Sequence, residues 1–205
     1  MIILPKVVPE YKDLAKKKII KASYSIFEKK GYHSTSMDDI AREVGVSKAS
    51  LYSYFKSKEE ILQITVDHAL TEPFIRIFSN EKSVEAFNEY FNNMTVFEGV
   101  LHLNFVLTAL AFHKESIRMN LIDSYERKMR ALTNFIETQQ KRGAVRQDME
   151  SKVIAQFITA IYNDLAMQLI MGVNENKISR SLKTTLSLIL EEKISKDQKT
   201  LNKYF

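Results

Sequence analysis

The sequence predicts an all-α protein, an N-terminal three-helix helix-turn-helix head followed by an α-helical body. Three observations carry this reading. Apolar residues recur at three- and four-residue steps along the chain, with no strand alternation or hairpin dipeptide. Only 5 glycines and 3 prolines interrupt 205 residues, too few for a loop-rich fold. Two capped helix starts lie about eleven residues apart in SMDDIAREVGVSKASLYSYF, Ser36 to Phe55, which leaves room only for a tight turn between them.

The first helix is expected over Tyr11 to Lys30, where Leu14, Ala15, Ile19, Ala22, Ile26 and Phe27 form one apolar stripe. Gly31 ends it, and Tyr32 packs beneath. Ser36 caps the second helix, and Asp38 and Asp39 complement the exposed amides of its first turn. Gly45 supplies the positive φ that a helix stop often requires. Ser47 then caps a third helix, KASLYSYF, whose Leu51 and Phe55 share a face. A shared core is expected from Ile19, Ala22, Ile26, Phe27, Ile40, Val44, Leu51 and Phe55. Ser57 and Glu60 read as a capping box opening a fourth helix, which closes that core with Ile61, Leu62 and Ile64 and runs to about Ser79, with Pro73 as a kink site.

Further helices are expected near Ser83 to Met94, Phe97 to His113, Ser116 to Lys141, Asp148 to Met171 and Ser179 to Ile194, with a frayed tail from Ser195 to Phe205. The opening MIILPKVVPE is broken by Pro5 and Pro9 and lacks the basic region and cleavage site of a signal peptide; it reads as a flexible arm or strap. The expected division is an arm at 1–10, a head at 11–73 with its helix-turn-helix at 36–55, and a body at 74–205.

Composition excludes several classes. With no cysteine there is no disulfide, thiolate metal site or thiol switch, which fits a cytoplasmic location. No apolar run approaches the roughly 20 residues of a membrane span, so no membrane partner is expected. His102 and His113 are eleven residues apart, about 16 Å along a helix, too far to share one ion. No P-loop, G-x-S-x-G or H-E-x-x-H is present, so neither an enzyme nor a cofactor is expected. The net charge of +5 suits a polyanionic partner without requiring one. Lys12, Lys16, Lys17, Lys18 and Lys21 cluster on the first helix, either within reach of a phosphate backbone or as an ordinary solvated face.

The third helix carries Lys48, Ser50, Tyr52 and Tyr54, one charge and three hydroxyls suited to phosphate oxygens and base edges, while Ala49 leaves room for close approach to a groove floor. The competing reading is a small solvated helix with packed tyrosines. From Lys12 to His68 the order F-x-x-x-G-Y, then S/T-S/T-x-x-x-I-A, G-V-S, L-Y-x-Y-F and K-x-K-E-x-L resembles the TetR family of transcriptional regulators. The match covers about a quarter of the chain. The resemblance implies that Ser36, Ser47, Tyr52, Tyr54 and Lys58 hold the DNA backbone while Lys48, Ala49 and Ser50 face bases, with Thr35 and Arg42 as further candidates. It also implies that the fourth helix links head to body. Where this chain has Ala49 and Ser50 the family often has Gly or Thr, so no operator sequence carries over.

In the body, Phe157, Ile161, Leu165 and Leu169 with Leu182, Leu186 and Ile189 give two helices an apolar surface broader than one core contact needs. This suggests a four-helix interface across a two-fold axis; the alternative is a wholly intramolecular core. Val100 to Phe112 is nearly apolar all round and is expected to cross the middle of the body. His102, Asn104, Phe105, Thr108 and Phe112, with Phe91, Phe97, Tyr125, Met129 and Met167, are candidates to line a pocket, whose existence rests on the resemblance. The function so implied is a ligand-responsive regulator, most simply a repressor that binds a palindromic operator in double-stranded DNA as a homodimer and is released by a small apolar or amphipathic effector. The alternative is a helical ligand-binding or interaction protein without sequence-specific DNA reading.

Overall fold

The computed structural model describes residues 9–80, 90 and 98–189. The first eight residues of the expected arm, the helix near Ser83 to Met94 apart from Tyr90, Phe91 and Phe97, and the chain from residue 190 lie outside the described residues. Among those described there is no strand. The helices are α1 Pro9–Lys30, α2 Met37–Val44, α3 Lys48–Tyr54, α4 Lys58–Val66, a π-helical turn Asp67–Thr71, α5 Glu72–Asn80, α6 Glu98–Ala111, α7 Glu115–Lys141, α8 Ser151–Ile170 and α9 Glu175–Ile189.

α1 starts inside the expected arm, at Pro9, a residue whose fixed φ and missing N–H suit the first turn of a helix. The expected fourth helix is three segments. Pro73 has no N–H, and its ring crowds the carbonyl four residues earlier; just before it the chain widens into the π turn, where the Glu72 N–H reaches the Asp67 carbonyl.

By packing, the described residues up to Glu72 group with Gly99–Ile122, and those of Pro73–Glu98 group with Asp123 onward. In the first unit, Ile19, Ile26, Phe27, Ile40, Leu51, Phe55, Ile61, Leu62 and Val66 are buried, while Ala22, Val44 and Ile64 are half-buried. Leu14, expected on the buried stripe, is 53% exposed. The segment expected to cross the body belongs to this unit instead. α6 is one-sided: Val100, Leu101, Leu103 and Leu107 are buried, whereas His102 and Thr108 are exposed and Phe112, just beyond its end, is 84% exposed.

The second unit is built on an aromatic cluster. Phe78 lies 4.5 Å from Phe74, 5.3 Å from Phe135 and 5.7 Å from Tyr90, ring centre to ring centre, and Tyr90 lies 6.3 Å from Tyr162. α8 and α9 pack together, burying Ile154, Ile158, Leu165, Leu169, Ile178, Leu182 and Leu186. Against the expectation that nothing approaches a membrane span, α8 has the length and hydropathy of one, 20 residues at 1.3. Six of its residues are buried within the unit, and Asn163 and Asp164 lie on its exposed side, the distribution of a core helix.

α6 meets α1 at Gly99, where an added Cβ would lie 2.6 Å from the Tyr24 hydroxyl and 3.0 Å from Glu28 Oε1. The clashing atoms are side-chain ends that can swing aside, so Gly99→Ala should cost at most about 1 kcal/mol in urea unfolding followed by circular dichroism. Adding Tyr24→Phe, which removes the clashing oxygen, should restore most of it.

Candidate nucleic-acid interface

α3 is oriented by local bonds. Ser36 Oγ accepts the Asp39 N–H at 3.1 Å, and Asp39 Oδ2 accepts the Ser36 N–H at 2.9 Å, a closed capping box at the start of α2. At its end Gly45 adopts φ 78°. The Gly45 N–H then reaches the Arg42 carbonyl at 3.2 Å and the Val46 N–H the Ala41 carbonyl at 3.0 Å, the pair of bonds that reverses the chain after a helix. Ser47 Oγ accepts the Ser50 N–H at 3.1 Å and opens α3. Leu51 and Phe55, 0% and 1% exposed, press α3 onto the core. Lys48, Ala49 and Tyr52 are left exposed, with Ser50 and Tyr54 half-buried. Ser36 and Ser47 are exposed too, although their hydroxyls already serve as caps.

The cations around α3 are paired with acids of α2. Lys48 Nζ lies 2.9 Å from Asp38 Oδ2, and this bond holds the ammonium above its ordinary pKa. Lys30 Nζ donates to Asp39 Oδ1 at 2.9 Å and Arg42 approaches the same oxygen at 3.5 Å. Lys30 first, then Ser36, hold the Asp39 carboxyl far below the usual carboxylate range. Arg42 is otherwise exposed, its side chain 77% accessible.

Lys58 and Thr35 require correction. Lys58 Nζ donates to the carbonyls of Tyr32 and Thr35 at 2.8 and 2.7 Å and sits 4.2 Å from the centre of the Tyr32 ring. Its ammonium is a latch from α4 to the turn after α1, not a clamp held out for phosphate. Thr35 is 3% exposed and its hydroxyl donates to the Gly31 carbonyl at 2.8 Å, so it supports that latch. The partners of Lys58 are 26 and 23 residues away, beyond any local pattern. Sequence reading also missed a second attachment of α4: Glu59 pairs with Lys114, and Gln63 accepts from Asn120 at 2.8 Å. Glu60 departs from the expected box by reaching the Lys56 N–H, at 2.6 Å.

The body candidates are divided between the two units. His102, Asn104, Phe105, Thr108 and Phe112 belong to the first unit, and Tyr125, Met129 and Met167 to the second. Thr108 and Phe112 line an open surface groove of about 650 Å³ with Ala111, His113, Lys114, Glu115 and Arg118. The expected interface splits as well. Leu165, Leu169, Leu182 and Leu186 are buried within the chain, Ile161 is half-buried and Phe157 is 52% exposed; the Ile189 side chain lies outside the described residues. No group of three or more His, Cys, Asp or Glu able to hold a metal occurs among the described residues.

A short α3, capped after a reversed turn and displaying polar side chains, has the form of a helix-turn-helix, a motif of DNA-binding proteins. Residues 19–63 match the family described as bacterial regulatory proteins, tetR family. Over this segment the chain is similar to TetR-family transcriptional regulators, proteins that are regulators rather than enzymes. It is 25% identical over 207 residues to YfiR of Bacillus subtilis, an uncharacterised HTH-type transcriptional regulator, covering 95% of this chain and 99% of YfiR. It is 43% identical over 53 residues to IcaR of Staphylococcus epidermidis, the negative transcriptional regulator of the biofilm operon icaADBC, a match spanning 26% of this chain and 29% of IcaR. Its fold is that of SmeT, the repressor of the Stenotrophomonas maltophilia efflux pump SmeDEF; the SmeT–triclosan complex superposes with a TM-score of 0.68 over 89% of this chain and 94% of SmeT, at 13% identity.

Lys58→Met should destabilise the protein by about 1–3 kcal/mol in urea unfolding, because two carbonyls lose a charged donor. A second outcome concerns pH. The folded Asp39 carboxyl is depressed, so its contribution to stability is present above the unfolded carboxylate range, near about pH 4, and fades as pH falls toward the folded value. Asp39→Asn should melt lower at neutral pH, with a shallower loss on acidification than the parent.

Proposed function

We propose that this chain is a ligand-responsive repressor that binds a palindromic operator as a homodimer and is released by a small apolar or amphipathic effector. The carrying observation is the α3 surface: Lys48, Ala49 and Tyr52 exposed with Ser50 and Tyr54 beside them, on a helix capped by Ser47 and seated on Leu51 and Phe55. In this reading Lys48, Ala49 and Ser50 meet base edges, while Tyr52, Tyr54, Arg42 and the caps Ser36 and Ser47 meet phosphates. Head and body follow the division at about residue 73, and the protein works in the cytoplasm, where its DNA lies.

Repression is supported by the likeness of the head to IcaR, a negative regulator. Dimerisation is supported by Phe157 and Met167 on α8 and Met171 just past its end, 52%, 40% and 66% exposed, and by the two half-sites that helix-turn-helix readers ordinarily span. An aromatic or amphipathic effector suits the second unit, whose core is Phe74, Phe78, Tyr90 and Phe135. Beside them the Tyr90 and Tyr162 hydroxyls are pushed up, Tyr162 to about 12, chiefly by burial. The likeness to SmeT, which is known in complex with triclosan, points the same way. An effector that binds better to a state with wrongly spaced reading helices lowers operator affinity by that difference.

Selection of bound sequences from random duplex DNA near physiological salt, with the mass in solution measured alongside, should return a palindrome and a dimer. No enrichment over bulk DNA would favour a helical ligand-binding protein that does not read sequence. With the recovered duplex, Tyr52→Phe combined with Arg42→Gln should weaken binding to all duplexes alike and flatten its salt dependence, whereas Ser50→Ala should change base preference.

A further inference from the structure

Lys48 stands at the first position of the reading helix, the one cation among its exposed residues, yet its ammonium is engaged. Asp38, in the first turn of α2, holds it at 2.9 Å, with both side chains about half exposed, 54% and 53%. The neighbouring acids of α2 hold other cations: Asp39 pairs with Lys30 and Arg42, and Glu43 lies 3.8 Å from Lys29. Asp38 is thus the acid of α2 whose partner is a reading residue.

An ammonium held by an adjacent carboxylate adds little to the attraction between a protein and any duplex. For Lys48 to displace a counter-ion from a phosphate, the pair must open and leave Asp38 facing polyanion. A base edge differs, because guanine O6 and N7 accept a lysine directly in the major groove and the position of the groove is set by the rest of the interface. A carboxylate of this kind suppresses indiscriminate binding more than cognate binding.

We propose that Asp38 is a specificity-determining residue, withholding the Lys48 ammonium from the phosphates of non-cognate DNA and yielding it where the major groove presents a base-edge acceptor. The assignment rests on the DNA-reading role proposed above. Asp38 acts through Lys48 and need not touch DNA.

The test uses the full chain and two probes of equal length, the duplex recovered by selection and a random-sequence duplex, titrated from about 50 to 300 mM salt. For the random duplex, Asp38→Asn should bind about three- to eightfold tighter near 0.1 M salt, and the slope of log affinity against log salt should steepen by about 0.9, the increment of one extra phosphate contact. Affinity for the recovered duplex should rise less, so the ratio between the two probes falls. In a Lys48→Met background the same substitution relieves only the repulsion of a bare carboxylate, so the gain on the random duplex should be smaller and the slope should not steepen by a full phosphate contact. Unchanged random-duplex binding in Asp38→Asn, with the parent's preference intact, would overturn the assignment alone. So would an equal gain in the Lys48→Met background, since Asp38 would then act as a bare repelling charge, or a loss confined to the recovered duplex, since it would then aim Lys48 at a base. A parent protein that binds both duplexes equally would overturn the DNA-reading role and this assignment together.

Discussion

The geometry of the head depends on one ammonium in an unfavourable place. Lys58 is the first residue of α4, at the positive end of a helix dipole, where a cation is disfavoured, and burial lowers its pKa further. Two carbonyls and the face of Tyr32 offset that cost. Those carbonyls belong to the turn that leads from α1 into Ser36, the cap of α2. The same cap, through Gly45 and Ser47, sets the direction of α3. The start of α4 and the attitude of α3 are therefore joined by a short chain of bonds.

α4 is fixed on a second side. Glu59 pairs with Lys114 and Gln63 with Asn120, while Gly99 admits α6 against Tyr24 on α1. Gly99–Ile122, distant in sequence, is thereby part of the first compact unit. This segment therefore has direct bonds to α4, whose first residue is latched to the turn before α2. The connection is made of discrete pairs, which a change of state can make or break, rather than of a deformable core.

How much of this was legible in the sequence follows the range of the forces involved. The caps at Ser36, Ser47 and Ser57 and the stop at Gly45 are made by residues within five positions of one another, and the first three expected helices match the observed ones within a residue or two. Pro73 signalled an irregularity, and the π turn is its form. Long-range pairs left no such trace. Lys58 resembles a phosphate ligand until the carbonyls of Tyr32 and Thr35 are brought to it, and Thr35 resembles an exposed polar residue until it is buried. In the body, periodicity identified α8 and α9 as apolar but could not divide their residues between a neighbour in the same chain and a second chain; Leu165, Leu169, Leu182 and Leu186 turn inward. α6 has apolar residues on nearly every face, and only tertiary packing decides that Leu103 and Leu107 are covered while Phe112 is not.

Charge illustrates the same limit from another side. The formal net charge of +5 suggests a protein that adheres to any polyanion, but what matters for binding is the charge uncommitted at the contact surface. Lys48 is engaged by Asp38, Lys30 and Arg42 by Asp39, Lys58 by two carbonyls, and Lys114 by Glu59. Exposed pairs of this sort contribute little to stability, so their value lies elsewhere. A cation held in place is oriented before it meets its partner and does not attach equally to every phosphate. The acids of α2 thus act on two helices: Asp39 closes the cap of α2 itself, and Asp38 holds the lysine at the start of α3.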